Sequence, residues 1–209
     1  MADGPLTGWW ARFPVEEEPG LPPRRWWVAS LGDGFPAGSV VDHPPGPRPA
    51  GWVLAVQAGA DGGRVHAAEA ALPGVPLLWY VELPEPTAAL PATTLVAFSD
   101  HRFPEGTVLT AAEARAAGVG GGQQVAALRW WTGSGLAHQV YVAPRHRRRG
   151  LALKLGMVAY GVQRVRGLPV LHGDGRRTDD GEAWAGGLPA WAAWRLAPRT
   201  HALPSMTPA

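Results

Sequence analysis

The run Arg147-Arg148-Arg149-Gly150-Leu151-Ala152 joins three cations and a glycine to the opening of an apolar helical stripe, a combination suited to holding a phosphate-bearing anion. Alternating apolar residues over 136–142 predict a strand that delivers the chain to this turn. Leu151, Leu155, Val158, Val162 and Val165 recur at three- and four-residue spacings, which predicts a helix over 150–166 with one buried face. A glycine at such a junction lets backbone come close to a ligand, and the first helical turn offers unpaired amides at the positive end of its dipole. The expected occupant is an anionic cofactor.

Preceded by Val140-Tyr141-Val142 and Pro144, the run fits the pattern Arg/Gln-x-x-Gly-x-Gly/Ala and resembles the GCN5-related N-acetyltransferase superfamily over residues 123–187, about a third of the chain. The resemblance implies an α/β fold with a mixed, mostly antiparallel central sheet flanked by helices, here with a β-rich N-terminal region and a short C-terminal half. It implies acetyl-CoA or another acyl-CoA as cosubstrate, with Arg147, Arg148, Arg149, Gly150, Leu151 and Ala152 cradling the pyrophosphate and Val140, Tyr141 and Val142 pairing with the pantetheine arm. An acyl group would pass to a small-molecule or peptide amine by direct attack in a ternary complex, with no metal. Gly150→Glu is expected to abolish coenzyme binding and leave the fold intact.

Such chemistry needs a base for the amine and an acid for the departing thiolate. Leu136 stands where many relatives carry a glutamate base, and no tyrosine follows Tyr160, where many carry the acid. On strand alternation, Leu136, His138, Val140 and Val142 share a face, so His138 is the nearest titratable replacement, with an unperturbed pKa of about 6.5. His172 and Asp174 form a second candidate pair on the following strand, which in the family diverges from the first to admit pantetheine. The plainer alternatives are a His138 that hydrogen-bonds across the sheet and a His172 solvated at a strand end. Loss of the usual glutamate and tyrosine is equally what a non-catalytic module would show, one that binds acyl-CoA or a protein partner without turnover.

Composition narrows the classes. The 209 residues contain no cysteine, which excludes disulfides, thiolate metal sites and a cysteine nucleophile. No apolar run reaches 18 residues and the start MADGPLTGWWARF lacks a signal-peptide pattern, so the expectation is a cytoplasmic protein with no membrane partner. Net charge is +2, yet Lys154 is the sole lysine. Arginine richness is thus a background trait, which weakens Arg145-His146-Arg147-Arg148-Arg149 as a nucleic-acid patch. Glu16-Glu17-Glu18 could attract an amine or a basic peptide, or simply be a solvated loop. Exposed edge strands favour a homodimer.

Turn signals separate short apolar runs in the first half, predicting strands over 25–30, 51–58, 65–72, 77–83 and 94–98, a hairpin turn at Asp61-Gly62-Gly63 and an extended linker over 84–91. Thr110 caps a short helix that Gly118 to Gly122 would end. Strands over 124–131 and 136–142, the main helix, a strand over 168–172, a helix from Thr178 through Trp184 and a strand over 193–196 complete the order. The division read from this texture is a β-rich region over 1–100, an acyl-CoA-binding core over 101–197 and a loose tail over 198–209. No internal repeat stands out, and most of the eleven tryptophans are expected in the core, although some could line an acceptor site.

Overall fold

The computed structural model describes residues 8–15, 20, 22–188, 193 and 195–204, so the acidic run 16–18 and the end of the tail, 205–209, lie outside the described residues. Twelve strands and three helices are described: β1 (Trp9–Pro14), β2 (Arg24–Ser30), β3 (Val40–Asp42), β4 (Trp52–Gly59), β5 (Val65–Ala70), β6 (Trp79–Glu85), β7 (Ala92–Phe98), β8 (Val108–Thr110), α1 (Ala111–Ala116), β9 (Ala126–Trp131), β10 (Ala137–Val142), α2 (Leu151–Val165), β11 (Arg176–Arg177), α3 (Asp179–Gly186) and β12 (His201–Ala202). They form an α/β protein dominated by two five-stranded, mostly antiparallel sheets, ordered β3-β1-β2-β4-β5 and β10-β9-β7-β6-β8. The second sheet starts at β6, so a boundary near residue 100 would cut through it. Segment 84–91 is the end of β6 and a hairpin turn, since Glu85 pairs with Ala92.

Each sheet is built the same way, a repeat that the sequence reading did not find. Within each, the first two strands pair antiparallel, the third returns parallel to the first, and the fourth and fifth extend the other edge. Trp9-Trp10-Ala11-Arg12-Phe13-Pro14 corresponds to Trp79-Tyr80-Val81-Glu82-Leu83-Pro84, and Phe35-Pro36-Ala37-Gly38-Ser39-Val40 to Phe103-Pro104-Glu105-Gly106-Thr107-Val108. The local bonds recur: Trp10 N–H donates to Ser39 at 2.8 Å and Tyr80 N–H to Thr107 at 2.7 Å. Trp9 meets Phe35 edge-on at 4.7 Å and Trp79 meets Phe103 edge-on at 4.8 Å. The halves part company after these shared pieces, because only the second carries a helix between its third and fourth strands and another after its fifth.

That last helix, α2, packs against β4 and β5 of one sheet and β9 and β10 of the other. Its predicted stripe is buried: Leu151, Leu155, Val158, Val162 and Val165 join Leu54, Val56, Leu128 and Trp130 in one core. Gly161 makes the close approach to β4 available, since a Cβ there would lie 2.7 Å from Val56 Cγ2 and 3.0 Å from Leu54 Cδ2. Both ends of α2 are tied by ion pairs. Lys154, only 2% exposed, donates to Glu105 at 2.6 Å and to the Pro76 carbonyl at 3.0 Å. Arg166 holds Glu82 in a two-bond pair at 2.6 and 3.0 Å.

Both predicted helix caps form. Thr110 and Glu113 make a capping box at α1, and Thr178 Oγ1 accepts from Gly181 N–H at α3. The Thr110 N–H, its hydroxyl and Arg64 hold the Glu113 carboxyl below its ordinary value. A depressed carboxyl stabilises the fold fully above its unfolded value and loses that contribution as pH falls through its folded value. Glu113→Gln is therefore expected to lower Tm most at pH above about 4.5, with the gap to wild type closing on acidification; melts from pH 7 to pH 3 check this.

The C-terminal region departs from expectation. Residues 168–172 form no strand; the segment makes one parallel bridge from His172 to Leu136 and another from Gly173 to Leu196. Of the predicted strand over 193–196, residue 194 lies outside the described residues, and Leu196 makes the bridge to Gly173. The first part of the expected loose tail is packed, because β12 pairs in parallel with β11. Of the eleven tryptophans, Trp9, Trp10, Trp79 and Trp130 are buried and Trp26, Trp27 and Trp52 are partly buried against the cores. Trp26 and Trp52 flank the Arg48 guanidinium at 4.9 and 4.4 Å while Glu69 binds it through two 2.8 Å bonds. No described helix is long and apolar enough to cross a membrane.

Candidate functional site

β10 is an edge strand, and what lies beyond its free edge defines the site. At its start the chain 171–173 comes alongside, with Ala137 N–H donating to His172 at 2.8 Å and His172 N–H to Gly135 at 2.9 Å. Past that point the two segments are no longer bridged, and a cleft of about 220 Å³ opens between β10, the 171–177 segment, α2 and α3. Ala143 N–H donates back to Val125, so strand alternation turns the backbone groups of Val142 and Val140 away from β9, toward the open side. One of these is occupied: Arg147 Nε donates to the Val142 carbonyl at 3.3 Å.

The cradle turn follows β10 through a 3₁₀ turn at Pro144–His146. Arg148 has φ +57 and Gly150 φ +78, two left-handed residues in three. A non-glycine residue in that region is strained, and such strain gathers at functional turns. The first amide of α2 to bond within the helix is that of Lys154, to the Gly150 carbonyl at 3.0 Å, so the N–H groups of residues 151–153 stand at the open, positive end of α2.

The residues of the expected cradle differ in exposure and partners. Arg148 and Arg149 are exposed, and their guanidinium groups can meet an anion. Arg147 also bonds Asp180 at 3.1 Å, tying the turn to α3. The Leu151 side chain is core, so only its amide faces the turn, and Ala152 is half-buried. Gly150 is required by the fold itself: its φ is left-handed and a Cβ would lie 2.5 Å from Val75 Cγ2. The expectation that Gly150→Glu leaves the fold intact is thus corrected, and that variant cannot separate binding from folding. Burial and the neighbouring Arg145 and Arg149 hold the His146 imidazole below its ordinary value.

The candidate bases are placed less simply. A β-bulge at His138 interrupts pairing between Ala137 and Gln139 and breaks the alternation. Ala137 and Val142 pack into the core against α2, whereas the His138 ring lies 4.6 Å from Trp131 on the other side of the sheet. The expected shared face of His138, Val140 and Val142 is therefore not formed, although His138 and Val140 both line the cleft. His172 and Asp174 line it too, but each has another partner. His172 Nδ1 is 3.2 Å from the Val170 carbonyl, and Asp174 accepts from Arg176 N–H at 3.0 Å.

No protein family matches this chain, and neither does any curated protein or solved structure.

Two features of the cleft escaped the sequence reading. Leu153, Gly156, Met157 and Tyr160 face it from α2 at helical spacing, and the Arg195 guanidinium lies 4.6 Å over the Tyr160 ring. The C-terminal residues Leu188, Leu196 and Leu203 close its far side. The i, i+3, i+4, i+7 spacing of the α2 residues was available as a signal, but it was absorbed into the prediction of a single buried stripe. No group of three or more His, Asp or Glu that could hold a metal occurs among the described residues.

Proposed function

We propose that this chain is an acyl-CoA-dependent N-acyltransferase of the GCN5-related type, with the coenzyme pyrophosphate on the 147–152 turn and the pantetheine arm along the free edge of β10. The observation that carries this reading is the parting of β10 from segment 171–177 beside a helix N-terminus whose amides are unpaired. An edge strand with outward N–H and C=O groups matches the two amides of a pantetheine arm, as in strand addition. The exposed Arg148 and Arg149 supply charge opposite a pyrophosphate.

In this reading a neutral amine attacks the thioester carbon, a C–N bond forms, the C–S bond breaks, and the coenzyme leaves as a thiolate that takes up a proton. The amine gives up a proton to a base. In this reading the Val140 amide, turned away from β9 on the open edge, donates to the thioester oxygen as charge develops there. Holding donor and acceptor together supplies the remainder of the rate, as orientation alone can be worth many powers of ten. His138, exposed and on the sheet face away from α2, is the base candidate for an amine arriving from that side, and Tyr160 is the phenol within the cleft that can meet the thiolate.

The alternative is a module that binds acyl-CoA, or a protein partner, without turnover. The apolar Leu136 at the usual glutamate position favours it. Incubation with acetyl-CoA and a panel of amines and basic peptides, followed by thiol detection, separates the two. Amine-dependent thiol release is expected for the transferase; coenzyme binding with release no faster than in protein-free controls would favour the module.

A further inference from the structure

We infer that the cleft holds a hydrocarbon acyl chain longer than acetyl, and that Gly156 sets the room for it; this rests on the coenzyme reading above. Two independent observations converge. The first is the lining. The apolar side chains Leu128, Leu153, Met157, Leu171, Leu188 and Leu196 make up one part of the lining, and the polar groups, His172, Asp174, Arg176, Arg177, Thr178 and Arg195, come from segment 172–178 and the C-terminal chain rather than from α2. Of the groups that could bind an acceptor amine, His138 lies toward Trp131 on the sheet face away from α2, Asp174 accepts from the Arg176 amide, and His172 Nδ1 lies against the Val170 carbonyl. An amine would forfeit its hydration here, whereas a methylene chain loses none.

The second observation is the contrast between the two glycines of α2. A glycine inside a helix costs about 1 kcal/mol relative to alanine, so each needs a reason. Gly161 has one in the close approach of β4. A Cβ on Gly156 would meet nothing within 4 Å, so packing does not call for a glycine there. Gly156 lines the cleft, one turn from Tyr160 and one residue before Met157. Its missing side chain leaves space along a face of α2 that runs about 10 Å from Leu153 to Tyr160 at the usual helical rise. With the pantetheine arm held along β10, an acetyl group at its end would leave the α2 face across the cleft uncovered.

The test is calorimetric titration with free CoA and with acetyl-, butyryl-, hexanoyl- and octanoyl-CoA, on wild type and on Gly156→Leu and Gly156→Ala. Affinity is expected to rise by up to about fourfold per added methylene until the cleft is full. The hexanoyl-to-acetyl ratio should collapse toward one in Gly156→Leu. Gly156→Ala, which improves helix propensity, serves if the larger side chain impairs folding, and should show a smaller but definite loss of that ratio. Measurable binding of CoA and acetyl-CoA with no gain from longer chains would overturn the acyl-chain inference alone. No binding of CoA or of any thioester would overturn it together with the coenzyme reading.

Discussion

Glu105→Ala is expected to destabilise the protein by about 3 kcal/mol, the low end of the cost of removing one partner from a buried ion pair. Lys154 is 2% exposed and its ammonium donates to Glu105 at 2.6 Å and to the Pro76 carbonyl at 3.0 Å. Without the carboxylate, a charged amine stays buried with one carbonyl acceptor. The Glu105 side chain keeps 31% of its surface, which is why the low end applies. Adding Lys154→Met replaces the orphaned cation with an apolar chain of similar length, so the double variant should recover most of the loss. Urea denaturation of the four proteins checks this. Equal losses from Glu105→Ala with lysine or methionine at 154 would mean that the pair is not coupled. The pair matters to the site because Lys154 lies in the first turn of α2, directly after the open amides, and fixes that turn against the loop preceding β6 and the turn preceding β8.

The second large effect concerns the ligand. Arg148→Glu combined with Arg149→Glu is expected to weaken acetyl-CoA binding at least about 100-fold, since a hydrogen bond to a charged group contributes about 1.5–3 kcal/mol and two are removed and opposed by like charge. Both side chains are exposed, so the melting temperature should change little. This pair of reversals replaces substitution at Gly150, where any side chain strains the turn and meets Val75. Calorimetry on the variant decides it; affinity within threefold of wild type would place the anion elsewhere.

Legibility in the sequence followed the strength of local signals. β2, β4, β5, β7, β9 and β10 alternate or run apolar between turn residues, and α1 and α3 announce themselves through Thr110 and Thr178, so their existence could be read directly. β1, β3, β8, β11 and β12 were missed. β3 and β8 have three residues each, too few for periodicity, and their pairing is decided by the parallel return to β1 and β6. The repeat was hidden for a related reason. Its most alike pieces, Phe35-Pro36-Ala37-Gly38-Ser39-Val40 and Phe103-Pro104-Glu105-Gly106-Thr107-Val108, are separated from the rest by loops of unequal length, one of which contains α1. No fixed spacing joins them all.

At the site, the strand, turn and helix around Gly150 could be read because a cradle is local in sequence. The His138 bulge could not, since one extra residue against β9 is a property of the pair and reverses which face a side chain takes. Nor could the cleft's outer wall, which depends on the C-terminal residues Leu196 and Leu203 folding back across segment 173–177. The different reasons for Gly156 and Gly161 are likewise invisible without knowing which neighbour, if any, stands opposite.

The central claim is that an acyl-CoA lies between the free edge of β10 and the amides that open α2. Amide hydrogen exchange with and without saturating acetyl-CoA tests it most directly. The account predicts slowed exchange at Val140, Val142 and residues 148–153, with the first sheet, β1 to β5, unchanged. Exchange at those amides that stays the same under saturating coenzyme would contradict it.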